Sequence, residues 1–190
     1  MNEGALFEEK KETFGDFLRF ALIAVAIVLP IRFFVVQPFI VSGTSMFPTF
    51  DNRHYLIIDE LSYRFEKPKR GEVVVFKFPF ETAKYLIKRV IGLPGETVVI
   101  KDASVLIKNA AHPEGMPIEQ SGIKTSGRKA DQTVTLKDDE YFVLGDNRDA
   151  SSDSRIWGPL KKTFITGRPL LRLYPITKIG FFPGRWDSAQ

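Results

Sequence analysis

Two side chains far apart in the chain, Ser45 and Lys88, are of the types that together perform nucleophilic hydrolysis. Lys88 lies in Tyr85-Leu86-Ile87-Lys88-Arg89-Val90-Ile91. Read as a strand with a period of two, Leu86 and Val90 share a face with Lys88, while Tyr85, Ile87 and Ile91 share the other with Arg89. One of two adjacent cations is therefore expected in apolar company. Burial disfavours the charged ammonium and lowers its pKa, which turns a lysine into a base near neutral pH. From an ordinary pKa of about 10.4, roughly 0.04% of the amine is neutral at pH 7, and each unit of depression raises that up to tenfold. The competing reading is a strand lysine that snorkels to water.

The segment Val41-Ser42-Gly43-Thr44-Ser45-Met46-Phe47-Pro48-Thr49 follows an apolar run, Phe33 to Val41, broken by Gln37-Pro38. Gly43 permits an unusual backbone angle and Pro48 prevents a regular ladder. A serine displayed on such a bend offers its hydroxyl and its own N–H to one incoming carbonyl. Alone, this reads as an ordinary polar turn; beside a buried lysine that reading no longer prevails. A third segment, Gly145 to Gly158, follows Tyr141-Phe142-Val143-Leu144 and gathers Asp146, Asp149, Asp153, Arg148, Arg155, Ser151, Ser152 and Ser154. Asp153 and Arg155 can pair to hold a loop floor, and Ser151 can hydrogen-bond a neutral amine. The acids stand three and four apart rather than at alternate positions, and no twelfth-position glutamate follows, which excludes an EF-hand calcium loop.

In that order, SGTSMFPT, KRVIGLPGE and GDNRDASSDSR, behind an apolar N-terminal segment, resemble the bacterial type I signal peptidases. Gly71-Glu72-Val73-Val74-Val75-Phe76 is similar to a fourth block of that family, and the likeness runs from about Arg19 to Arg185. It implies that Ser45 is the nucleophile and Lys88 its general base, that Ser151 orients the lysine, and that Asp153 and Arg155 form an ion pair beside the site. Two positions depart from common members. Gly43 stands where some carry a serine serving the oxyanion hole, which leaves the second donor to a backbone N–H, Ser42 or Thr44. Ala150 stands where asparagine is common. The resemblance further implies removal of signal peptides from exported precursors, with cleavage after small residues at the first and third positions before the bond. It implies no metal or organic cofactor.

Other chemistry is poorly supplied. The two histidines, His54 and His112, fall in polar turns and read as surface residues. There is no cysteine, hence no thiolate, disulfide or Cys-based zinc site. Ser121-Gly122-Ile123-Lys124 and Ser126-Gly127-Arg128-Lys129 match S-x-x-K, but their glycines argue for a loop rather than the helix that motif needs.

From Phe20 to Ile31 the chain is apolar and uncharged between Arg19 and Arg32. Those residues rise only about 18 Å as a helix against a hydrocarbon core of roughly 30 Å, and Phe14, Phe17, Leu18 and Phe33 to Val36 extend the reach. A cleavable signal would be followed by small residues, whereas Arg-Phe-Phe-Val-Val-Gln-Pro follows. The expected organisation is a short cytoplasmic segment (1–18), a transmembrane anchor (19–36) and an extracytoplasmic catalytic domain (37–190) with an insertion at about 109–131. Lys10, Lys11 and Arg19 place the N-terminus inside, and the cell membrane is the expected location.

The fold expected is mainly β: an antiparallel sheet or partial barrel behind one N-terminal helix. Short apolar or alternating runs at Tyr55–Ile58, Val73–Phe78, Leu86–Ile91, Thr97–Ile100, Val105–Ile107, Thr133–Leu136 and Tyr141–Leu144 are punctuated by Gly, Pro, Asn and Asp. A last strand is expected within 174–182. Net charge +4 suits a lipid bilayer as neighbour, while the lack of a basic helix or basic-aromatic stripe excludes nucleic acid. Signal-peptide-bearing precursors are the expected partners, and the oligomeric state is left open. Two alternatives stand beside the peptidase: a membrane-tethered binding module with an inactive dyad, and a self-cleaving repressor-type Ser-Lys peptidase, which would need a DNA-binding domain or an internal Ala-Gly bond.

Overall fold

The computed structural model describes residues 14–34, 36–101, 104–118 and 131–186. The chain divides between Val35 and Val36 into two compact units. The first is helix α1, Phe14–Phe34. It begins five residues before the expected anchor and ends two before its limit, because Phe14, Phe17 and Leu18 continue its apolar surface. Among the described residues no helix is long and apolar enough to cross a membrane. Asp16 and Arg19 lie within its first turns, and the side chains beyond Ala26 fall outside the described set.

The second unit is mainly β and antiparallel. Its strands are β1 (Val36–Ile40), β2 (Tyr55–Asp59), β3 (Val73–Phe78), β4 (Glu81–Gly92), β5 (Thr97–Lys101) and β6 (Ser104–Lys108). After them come β7 (Met116–Pro117), β8 (Gln132–Thr135), β9 (Glu140–Leu144), β10 (Leu160–Lys161), β11 (Ile165–Tyr174) and β12 (Gly180–Phe181). Short helices α2 (Ser62–Phe65) and α3 (Ser154–Trp157) lie between them. One sheet runs β1-β2-β11-β3-β4-β9-β10 with β12 on β11, and a second runs β7-β6-β5-β8. No pairing among the described residues closes either path.

The sequence pattern placed most of these strands, and two differences have physical causes. β11 has no counterpart in the expected pattern, because Gly167 and Pro169 interrupt its apolar run. Within the sheet those interruptions coincide with register shifts, and Gly167 is where a side chain would collide with the Asp59 carbonyl at 2.2 Å. The expected last strand is instead a 3-10 turn, Ile176–Lys178, followed by the two-residue β12. The expected insertion contains β7, and residues 119–130 lie outside the described residues.

Three apolar clusters hold the unit. Val41, Met46, Phe50, Leu56, Ile58, Val73 and Val75 form one; Val74, Phe76, Val90, Tyr141, Val143, Leu160 and Tyr63 form the second; Ile91, Val98, Ile107, Phe142 and Leu144 belong to the third. Met46 and Phe50 flank the Ser45 turn and are fully buried. Burying side chains of this size contributes about 1.5–3 kcal/mol each, enough to fix the shape of that loop.

Candidate active site

Ser45 is carried on a turn in which Phe47 N–H donates to the Thr44 carbonyl at 3.1 Å and Phe50 N–H to the Met46 carbonyl at 2.8 Å. Gly43 opens the turn with φ +95°, a left-handed angle that disfavours any side chain. Its N–H donates to Asn52 Oδ1 at 3.2 Å. Ser45 is half-buried, and Ser42, Gly43 and Thr44 are exposed.

Lys88 reaches Ser45 from β4. Its Nζ stands 2.7 Å from Ser45 Oγ and donates to the Ile87 carbonyl at 2.9 Å. The residue is 3% exposed, which excludes the snorkelling alternative. Burial lowers its pKa to about 8; the charges of Asp153 and Asp146 oppose that fall and the charge of Lys84 assists it. With the amine neutral, the Ser45 hydroxyl can donate to it, which is the polarity a proton transfer from the alcohol requires.

Arg89, expected on the other face, is equally buried, so β4 sends two adjacent cations inward. Unlike Lys88, Arg89 is fully paired. Its Nε and Nη2 grip Asp146 Oδ1 and Oδ2 at 2.8 and 2.5 Å, and Nη1 donates to the Gly71 carbonyl at 2.8 Å. Asp146 also accepts the Thr49 hydroxyl at 2.5 Å, and Thr49 Oγ1 accepts from Arg89 Nη2 at 3.2 Å. The Asn147 N–H donates to the Ser45 carbonyl at 3.0 Å. The serine turn, the lysine strand and the acidic loop are thereby tied together.

Asp153 and Arg155 form the expected ion pair. Arg155 Nε and Nη2 each lie 2.8 Å from one Asp153 oxygen, and Gly145 N–H donates to Asp153 Oδ2 at 3.1 Å. Burial acts to raise the Asp153 carboxyl, but the Arg155 hydrogen bonds and charge outweigh it and hold the group below the usual range. Asp153 also caps α3, accepting the Arg155 N–H.

Ser151 is buried, but its Oγ makes no hydrogen bond of acceptable geometry. It lies near enough to Asp153 to help lower that carboxyl, and the expected bond to Lys88 is not formed. Ala150 is exposed.

His54 is buried rather than on the surface. Its Nδ1 accepts the Asp51 N–H at 3.2 Å and its ring meets Phe50 edge-on. Burial first, then the charges of Arg172 and Lys178, lower its pKa. His112 does lie in an exposed turn.

Sequence reasoning missed Arg89, Thr49 and Gly145 as parts of this site. A Cβ at Gly145 would stand 2.2 Å from Ser151 Oγ and 2.5 Å from the Ser45 carbonyl. The available signal was the surplus of acid in the third loop, since Asp146 needed a cation and Arg89 was within the same motif set.

An open strand edge adjoins the pair. β9 pairs with β4 only from Arg89 onward, so among the described residues the edge of β4 from Glu81 to Lys88 is open on that side. The β1 side chain Phe39 faces Tyr85 of β4 at 5.1 Å.

Residues 14–174 match the model of a family described as signal peptidase, peptidase S26. The chain belongs to that family. A signal peptidase I of Leptolyngbya laminosa is 36% identical over 83% of this chain and 78% of its own length. The Bacillus subtilis signal peptidase I V is 36% identical over 77% and 90%, and the Bacillus licheniformis signal peptidase I 33% identical over 90% and 94%. Membership in this peptidase family makes the chain a hydrolase, a serine endopeptidase.

Proposed function

We propose that this chain removes signal peptides from exported precursors, with Ser45 as nucleophile and Lys88 as its general base. The observation that carries the reading is the 2.7 Å approach of a buried lysine amine to a serine hydroxyl. Neutral Lys88 takes the Ser45 proton as Oγ attacks the scissile carbonyl. The Ser45 N–H and a second donor from Ser42 or Thr44 stabilise the tetrahedral oxyanion. Lys88 then gives its proton to the leaving amine, releasing the new N-terminus. A water transfers a proton to Lys88 as it attacks the acyl-serine, and return of that proton to Oγ frees the carboxyl product. Every step uses these groups and water alone.

The precursor lies extended along the open edge of β4, where main-chain hydrogen bonds set its register and shallow apolar walls select small residues before the bond. Asp153 and Arg155 hold the loop beside the amine, with Ser151 buried next to Asp153, and Gly43 shapes the turn. The helix Phe14–Phe34 holds the enzyme at the cell membrane with its N-terminus inside and the catalytic unit outside. Its support is the uncharged apolar run Phe20–Ile31 between Arg19 and Arg32, together with the exposed Phe14, Phe17 and Phe20. Anchoring also raises the local concentration of membrane-held substrate.

The test is cleavage of one membrane-inserted precursor bearing an Ala-X-Ala site, with the full chain in detergent. Ser45→Ala should fall below about 1% of wild type with an unchanged melting temperature. Wild-type kcat should rise with pH through about 8, where the Lys88 amine loses its proton. Uncut precursor, or an active alanine variant, rejects the assignment. Flotation with lipid after deletion of residues 1–35 checks the anchor.

A further inference from the structure

Beyond β12 the chain turns back over the elements that carry the dyad. Phe182 N–H donates to the Leu170 carbonyl at 2.8 Å, and Gly184 follows with φ +80°. Gly184 is pressed so closely on the serine loop that a Cβ there would lie 2.7 Å from Thr49 Cγ2 and 3.0 Å from Phe50 Cε2. Its carbonyl accepts Arg89 Nη1 at 2.5 Å. The Trp186 ring then covers the Arg89 guanidinium, with Cζ 5.3 Å from the ring centroid, and fits against Gly71, where a Cβ would approach it to 2.4 Å. Trp186 also packs on the cluster of Ile91, Leu144 and Phe142.

Two glycines, Gly71 and Gly184, are thus needed for this segment to seat. The seated segment touches the groups that hold Asp146: Thr49 through Gly184, and Arg89 through the Gly184 carbonyl and the Trp186 ring. We propose that the strap Pro183–Trp186 positions the Ser45–Lys88 pair, with Gly184 and Trp186 acting through Arg89 and Thr49. This rests on the peptidase reading of the site. The guanidinium has three kinds of restraint: the Asp146 carboxylate, the two carbonyls of Gly71 and Gly184, and the indole face. Removing the last carbonyl and the indole lets the cation tilt away from Asp146. The Asp146 charge, which favours the ammonium form of Lys88, is then less opposed, and the amine holds its proton to higher pH. Thr49 loses its register at the same time, and with it the Ser45 turn. Trp186 and Gly184 are positioning residues; neither touches the reacting atoms.

The experiment compares Trp186→Leu, Trp186→Phe and Gly184→Ala in the full chain. Leucine keeps apolar contact without a π face, and phenylalanine keeps the face. Readouts are kcat, KM, the midpoint of the rising pH limb, and Lys88 titration followed by NMR on lysine labelled with 13C at Cε. Trp186→Leu should lower kcat about tenfold with KM within about twofold, and raise the midpoint by about half a unit. Trp186→Phe should stay within about twofold of wild type at the wild-type midpoint. Gly184→Ala should lose more than the leucine variant, because its methyl displaces Thr49 directly. Should the leucine variant not fold, Gly184→Ala decides by the same kcat and titration readouts. A folded leucine variant with wild-type kcat and midpoint overturns the proposal. So do leucine and phenylalanine variants impaired alike at an unshifted midpoint. If wild type cleaves and needs Ser45 while Lys88 titrates identically in all variants, the strap falls and the peptidase reading stands. If wild type does not cleave but Lys88 titrates higher in the leucine variant than in the phenylalanine one, the coupling stands and the peptidase reading falls.

Discussion

Replacing Lys88 by methionine should make the protein inactive and, at neutral pH, more stable. The side chain is nearly isosteric and stays apolar, so packing among Leu86, Val74 and Val90 is kept. Burial moves the lysine pKa from 10.5 to about 8, and at 1.36 kcal/mol per unit the folded state carries a cost of roughly 3 kcal/mol while the amine is protonated. Against this, methionine forfeits the hydrogen bonds to Ser45 Oγ and the Ile87 carbonyl, worth about 1 kcal/mol each. The net at pH 7 is a gain of about 1 kcal/mol. The sign of the pH dependence follows from the depressed pKa. Below about 8 both states hold the proton and the cost is complete. Between about 8 and 10.5 the unfolded chain binds more protons, so raising the pH stabilises wild type. By pH 10 the remaining cost is under about 1 kcal/mol, and the methionine variant becomes the less stable of the two by about 1 kcal/mol. Denaturant unfolding in detergent at pH 7 and pH 10, with cleavage measured in parallel, reads this crossover. A methionine variant equally destabilised at both pH values would show that the amine is not desolvated, and retained cleavage would remove Lys88 as base.

Asp153→Asn leaves Arg155 facing a neutral amide in a buried place and should cost about 3–5 kcal/mol of stability in denaturant melts. Because the Asp153 charge raises the Lys88 pKa, any surviving activity should show its rising limb below pH 8. Gly145→Ala drives a methyl into the Ser45 carbonyl and Ser151, and kcat should drop about a hundredfold in the precursor assay. Thr49→Val keeps the shape but leaves the Arg89–Asp146 pair without the hydroxyl. It should lower stability by about 1–3 kcal/mol, read by thermal unfolding alongside kcat.

By itself the sequence singled out the Ser45–Lys88 pair and most of the strands. A lysine between Leu86 and Val90 advertises its burial through a local period of two, and the glycine and proline around Ser45 advertise a bend; both signals lie within a few residues. The Asp153–Arg155 pair was legible for the same reason, since two residues in one tight loop have little choice of partner. What tertiary structure alone decided involves groups remote in sequence. Arg89 finds Asp146 57 residues later and Thr49 40 residues earlier, and no local pattern reports that a second cation can be buried when carbonyls from Gly71 and Gly184 complete its shell. The long strand β11 likewise exists because β2 and β3 flank it on both sides, overriding Gly167 and Pro169, which read locally as breaks. Buried charge is tolerated where partners converge, and convergence is a property of the folded sheet, not of neighbours along the chain.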